Sequence, residues 1–109
     1  MDHKAFIDAN RERFLDELMQ WLRIPSVSSD PNSKEAMAQA AEYLKNRFIE
    51  QGVDKVEIYP TEGHPIVYAE KITDPSKPTV LVYGHYDVQP PDPLDLWDSP
   101  PFEPVIKKT

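Results

Sequence analysis

Prolines decide where this 109-residue chain can hold regular structure. Six of the twelve fall between Pro90 and Pro104, and each fixes φ and removes a backbone donor, so that stretch holds neither a long helix nor a central strand. Helices and strands must therefore come before Pro90. At that boundary stands the most apolar run of the chain, Thr79-Val80-Leu81-Val82-Tyr83, which continues as Gly84-His85-Tyr86-Asp87-Val88-Gln89-Pro90. It reads as a strand buried on both faces, with Gly84 allowing a sharp turn at its end. If strand geometry persists to Asp87, the period of two puts His85 and Asp87 on one side. An imidazole and a carboxylate at that spacing can act as a metal ligand and its orienting acid.

Upstream, Phe6, Ile7, Phe14, Leu15, Leu18, Met19 and Leu22 recur among charged residues, which predicts an amphipathic helix over residues 2–22. Pro25 disfavours helical angles at Ile24 and ends it at Arg23 or Ile24. Residues 26–33 are rich in Ser, Asp and Asn and read as a loop entering a second helix, capped by Asp30 or Ser33. That helix spans 33–51 with a stripe of Met37, Ala40, Ala41, Leu44, Phe48 and Ile49, and Gly52 stands where helices commonly finish. Residues 53–59 alternate Val53, Val56 and Ile58 with charges and predict a strand near an edge. A turn holding Glu62, Gly63 and His64 leads to a second strand over 66–72, and so short a connection makes the pair antiparallel. Two helices, about three strands and a proline-rich loop predict an α/β layer rather than a bundle.

The chain has the length of one domain. A net charge of −7 and a pI near 4.8 argue against nucleic acid or an anionic membrane as partner, because both call for clustered Lys and Arg. Lys107-Lys108 and the Arg11 to Arg13 pair are too short to count. Cysteine is absent, which excludes disulfides and thiolate metal sites and leaves His, Asp and Glu as the metal chemistry. A cytoplasmic setting fits this composition. The N-terminus shows no apolar block of a secretory signal, and no window approaches a membrane span.

Open α/β sheets place ligands beyond the carboxyl ends of their strands, which is where His85 falls. A metal-bound imidazole gives its other ring N–H to a carboxylate or carbonyl, and Asp87 is near enough for that. The spacing alone does not separate a metal ligand from an ordinary polar residue at a strand end. Its neighbours carry more. Gly84-His85-Tyr86-Asp87-Val88-Gln89-Pro90, followed by Trp97-Asp98-Ser99-Pro100-Pro101-Phe102-Glu103-Pro104, closely resembles the first active-site segment of the zinc metallopeptidase and deacylase family. That family contains carnosine dipeptidase, glutamate carboxypeptidase, aminoacylase, acetylornithine deacetylase and succinyl-diaminopimelate desuccinylase. Leu22-Arg23-Ile24-Pro25-Ser26-Val27-Ser28 resembles the loop after its first helix. Val88 to Pro93 and the Leu96-Trp97 pair look most like the dipeptidase branch.

The resemblance implies the N-terminal part of an α/β/α zinc-peptidase catalytic domain, with 1–109 a partial catalytic domain and a dimerisation domain inserted further along. It implies that His85 ligates one of two zinc ions, with Mn or Co as alternatives, and that Asp87 is the supporting acidic residue of the active site. Two such ions activate water at neutral pH and polarise a scissile carbonyl. The family's bridging aspartate, Glu-Glu pair, later acidic ligand and final histidine have no match here, and one ligand cannot hold a competent catalytic zinc. The expectation is therefore the leading segment of a longer homodimeric enzyme that hydrolyses dipeptides or N-acyl amino acids, inactive as 109 residues alone. Two other readings stay open: a non-catalytic interaction module that keeps the scaffold, and an unrelated α/β binding protein. His64 and Glu62 match no family ligand and read as solvated loop residues, as does His3 near the terminus. Trp97 and Phe102 read as side chains that pack down the proline-rich loop, with the lining of an approach to the site as the alternative.

Overall fold

Asn10 divides the first predicted helix in two. In the computed structural model, which describes residues 2–108, α1 (His3–Ala9) is capped by Asp2, whose carboxylate accepts from the Lys4 N–H at 3.0 Å. At Asn10 the backbone leaves helical angles (φ −111°, ψ 12°) and the side-chain amide donates to the Phe6 carbonyl at 2.8 Å. A short amide that competes for backbone partners in this way ends a helix. α2 (Arg11–Leu22) resumes at once and stops at Arg23, as the following proline requires.

These described residues fall into two compact units, one made of residues 2–24 and 91–108, the other Pro25–Pro90. In the first, the Phe6 and Phe14 rings meet with centroids 6.0 Å apart across the Asn10 break. The predicted apolar stripe is present, yet neither helix holds a buried residue. The proline-rich segment carries one short 3-10 turn (Leu94–Leu96) and no strand. Trp97 Nε1 donates to the Pro91 carbonyl at 3.0 Å, and Lys107 pairs with Asp98 at 2.6 Å. The indole N–H thus fastens the loop to itself while Trp97 stays half exposed.

In the second unit, Asp30 accepts from the Asn32 amide and caps a 3-10 turn (Pro31–Ser33) that leads directly into α3 (Lys34–Glu50). Met37, Ala40 and Ala41 are the buried residues of α3. Their i, i+3, i+4 spacing is one helix face, and that face packs on a two-stranded antiparallel sheet of β1 (Lys55–Tyr59) and β2 (Ile66–Glu70). The register sets Val56 opposite Ala69 and Ile58 opposite Val67, and these four, with Glu70 at the end of β2, are the less exposed positions of their strands, the four following period-two alternation. Small Ala40 and Ala41 let helix and sheet approach closely. Gly52, at φ 75°, reverses the chain after α3, a conformation other residues reach only at a cost.

The apolar run from Thr79 to Tyr83 corrects the expected third strand. It pairs with no strand among the described residues, and Val80, Leu81, Val82 and Tyr83 are 82 to 90% exposed rather than buried. An apolar run records a demand for burial, whereas a strand also needs neighbours for its N–H and C=O groups. Regular pairing returns only at Val88, which forms an isolated parallel bridge with Val27.

Candidate metal centre

Ser26, Val27 and Ser28, which follow the helix-stopping Pro25, run alongside Tyr86, Asp87 and Val88. The Val88 N–H donates to the Ser26 carbonyl at 2.9 Å, and the Ser26 hydroxyl, almost fully buried, donates to the Tyr86 carbonyl at 3.0 Å. This bridge fixes the backbone that carries Asp87. Asp87 Oδ1 lies 2.7 Å from His85 Nδ1, and Asp87 Oδ2 accepts from the Ser28 hydroxyl at 2.6 Å. The Asp87 carboxyl is held below the usual carboxylate range, first by the Ser28 hydroxyl and then by the His85 imidazole, both donating to it.

An ionised carboxylate only accepts, so the 2.7 Å contact places the imidazole proton on Nδ1. In the neutral ring Nε2 then carries a free lone pair. The His85 side chain is 77% exposed, which leaves that lone pair accessible. This donor state fits a divalent metal such as zinc: a neutral imidazole nitrogen, its tautomer set by a carboxylate. Among the described residues no group of three or more His, Cys, Asp or Glu side chains converges as a metal site, so His85 is one donor and not a complete coordination sphere.

The structure thus brings together both residues that the sequence singled out. It also corrects the reading of His64, which is not a solvated loop residue: its Nε2 lies 2.8 Å from the Ser28 carbonyl. A carbonyl only accepts, so His64 carries its proton on Nε2, the opposite tautomer to His85. Tyr86 donates from its phenol to the Pro65 carbonyl at 2.6 Å, and its pKa is raised by partial burial and by the charge of Asp87. Glu62 and His3 are exposed, as expected. Ser28 and His64 lie 59 and 36 residues from their partners, and no local pattern announces contacts of that separation.

No protein-family model matches the chain. It is 34% identical over 112 residues to the Cys-Gly metallodipeptidase DUG1 of Saccharomyces cerevisiae, covering 92% of this chain and 23% of that protein. It is also 34% identical over 111 residues to the Beta-Ala-His dipeptidase of Mus musculus, covering 89% and 22%. Its fold superposes on the yeast dipeptidase Dug1p with a TM-score of 0.84 at 33% identity, over 93% of this chain and 23% of that one. An M20 family metallo-carboxypeptidase from Sulfolobus solfataricus superposes with a TM-score of 0.75 at 40% identity, over 85% and 20%. The α/β arrangement described above is therefore that of a segment of the M20 metallopeptidases, to which this chain is homologous. Within them its relatives include dipeptidases. The chain spans less than a quarter of the length of these relatives.

Proposed function

We propose that this chain contributes the first metal-ligand segment of a zinc-dependent dipeptidase. His85 is the ligand, through Nε2, and Asp87 is the active-site acid that orients it. The observation that carries this reading is the 2.7 Å contact between His85 Nδ1 and Asp87 Oδ1, which in the neutral ring leaves Nε2 as the lone-pair donor. Metallodipeptidase relatives support the reaction class, and their names support a metal. Zinc, when bound, supplies Lewis acidity toward the amide carbonyl and a water acidified into a nucleophile.

What the residues of this chain do is narrower. Asp87 keeps the His85 proton on Nδ1 and restrains the ring, and its own charge adds to the field that favours a cation. In the proposed enzyme residues 1–109 form part of the catalytic domain. Two zinc ions, one of them held by His85, complete the proposed enzyme together with further ligands, a general base and a dimerisation domain that this chain lacks. Small peptides, or N-acyl amino acids, are the proposed substrates, a homodimer the assembly and the cytoplasm the setting. No helix among the described residues is long and apolar enough to cross a membrane.

The test is dipeptide hydrolysis by the polypeptide in which this segment is translated, with and without chelator, and with zinc, manganese or cobalt restored. His85→Ala is expected to abolish metal-dependent turnover, and the 109 residues alone to show none. Turnover that survives both chelation and His85→Ala contradicts the proposal. A folded His85→Ala protein with unchanged metal binding and no dipeptidase activity in the parent favours the interaction-module reading instead.

A further inference from the structure

We infer that Ser28, steadied by His64, is a positioning residue for the His85 imidazole and acts through Asp87. The inference rests on the reading of His85 as a metal donor. It starts from what a single hydrogen bond leaves undone. The Asp87 side chain meets His85 Nδ1 through Oδ1 alone, beside a longer 3.2 Å contact from Nδ1 to the Asp87 main-chain carbonyl, and a carboxylate held at one oxygen still rotates about its terminal torsion, which is broad for Asp. The Ser28 hydroxyl takes the other oxygen at 2.6 Å. With donors on opposite oxygens the carboxylate plane is fixed, and the direction of His85 Nε2 with it.

Ser28 can serve as a fixed point because three segments are tied pairwise into a cycle. Ser28 donates to Asp87 at 2.6 Å, Tyr86 donates to the Pro65 carbonyl at 2.6 Å, and His64 donates to the Ser28 carbonyl at 2.8 Å. The Val27 to Val88 bridge closes the same two segments from behind, with Val27 itself buried. Preceding His85, by contrast, is the exposed run without regular pairing. Restraint on His85 therefore comes from the Ser28 side, and removing the hydroxyl frees the acid that sets the ring.

The test uses the full 109-residue chain and zinc ion alone as probe, with two readouts: the imidazole nitrogen shifts of His85, which report its tautomer, and the zinc affinity read at that resonance. Loss of a hydrogen-bonding partner of a ligand typically costs about 10 to 100-fold in metal affinity; one bond further out, Ser28→Ala is expected to cost roughly 3 to 10-fold and to raise the Nε2–H tautomer of His85. Ser28→Thr keeps the hydroxyl and is expected to match wild type, whereas its shape-matched counterpart Ser28→Val is expected to behave as Ser28→Ala. Protection of the Val88 amide from exchange shows that the loop bridge is intact, and the Thr and Val pair separates hydroxyl from shape where alanine disturbs it. Equal zinc affinity and tautomer in Ser28→Val and Ser28→Thr overturn the proposal. His85→Ala separates the two layers: if it leaves the zinc response of the chain unchanged, the metal reading itself fails. If it removes that response while Ser28→Ala and Ser28→Val keep it, only the positioning role falls.

Discussion

Met37 is the largest fully enclosed side chain among the described residues, at 2% exposure on the face of α3 that packs on the sheet. Met37→Ala deletes three heavy atoms beyond Cβ. At about 0.8 kcal/mol for each buried methylene equivalent, the transfer loss alone is about 2 kcal/mol. Ala40 and Ala41 beside it are too short to swing into the space, so a cavity cost adds and the expected total is about 2 to 4 kcal/mol. Ile49 on the same helix loses a comparable side chain in Ile49→Ala, but it is 53% exposed, so that variant is expected to cost only about 1 kcal/mol. Urea unfolding of the full chain followed by far-ultraviolet circular dichroism measures both, with the midpoint shift converted at constant slope. If Met37→Ala costs no more than Ile49→Ala, the helix face is assigned wrongly and the packing of α3 on the sheet with it.

Two further expectations test other parts of the fold. Gly52→Ala places a Cβ in open space, with nothing within 4 Å, so its effect is purely conformational. A left-handed Cβ costs about 1 to 2 kcal/mol, offset by about 0.4 to 1 kcal/mol from a stiffer unfolded chain, for a net loss near 1 kcal/mol in the same urea assay; a gain in stability refutes the positive φ. Tyr68 donates to Glu70 Oε2 at 2.6 Å, and that hydrogen bond and the carboxylate charge raise the phenol pKa above its ordinary value. Because the folded-state value is the higher one, the contribution to stability is complete below the unfolded pKa and is lost as pH rises through the folded one. Phenolate absorbance titration should show the Tyr68 value fall in Glu70→Gln; no change means the pair is not formed in solution.

How much was legible in the sequence depended on how local the signal was. The Met37, Ala40 and Ala41 part of the α3 stripe, the Gly52 stop and the antiparallel pairing of β1 with β2 were legible because each follows from residues a few positions apart, whereas Phe48 and Ile49, read on the same stripe, are exposed. The first helix was read correctly in outline and missed its break, since Asn10 acts through its own amide on the Phe6 carbonyl and leaves the apolar stripe undisturbed. The run from Val80 to Tyr83 misled for a different reason: apolar composition states what a segment would bury, not whether strands lie beside it. The contact between His85 and Asp87 was legible through their spacing. Ser28 and His64 were not, because a loop serine and a turn histidine acquire meaning only when the fold sets them against residues far along the chain.

Everything functional in this account depends on His85 offering Nε2 while Asp87 holds Nδ1–H. The most direct measurement is a zinc titration of the full chain followed through the imidazole nitrogen resonances of its three histidines. The account predicts that the neutral forms are the Nδ1–H tautomer for His85 and the Nε2–H tautomer for His64, with zinc perturbing His85 Nε2 ahead of His3 and His64. A His85 in the Nε2–H tautomer, or one that responds to zinc no more strongly than exposed His3, contradicts it.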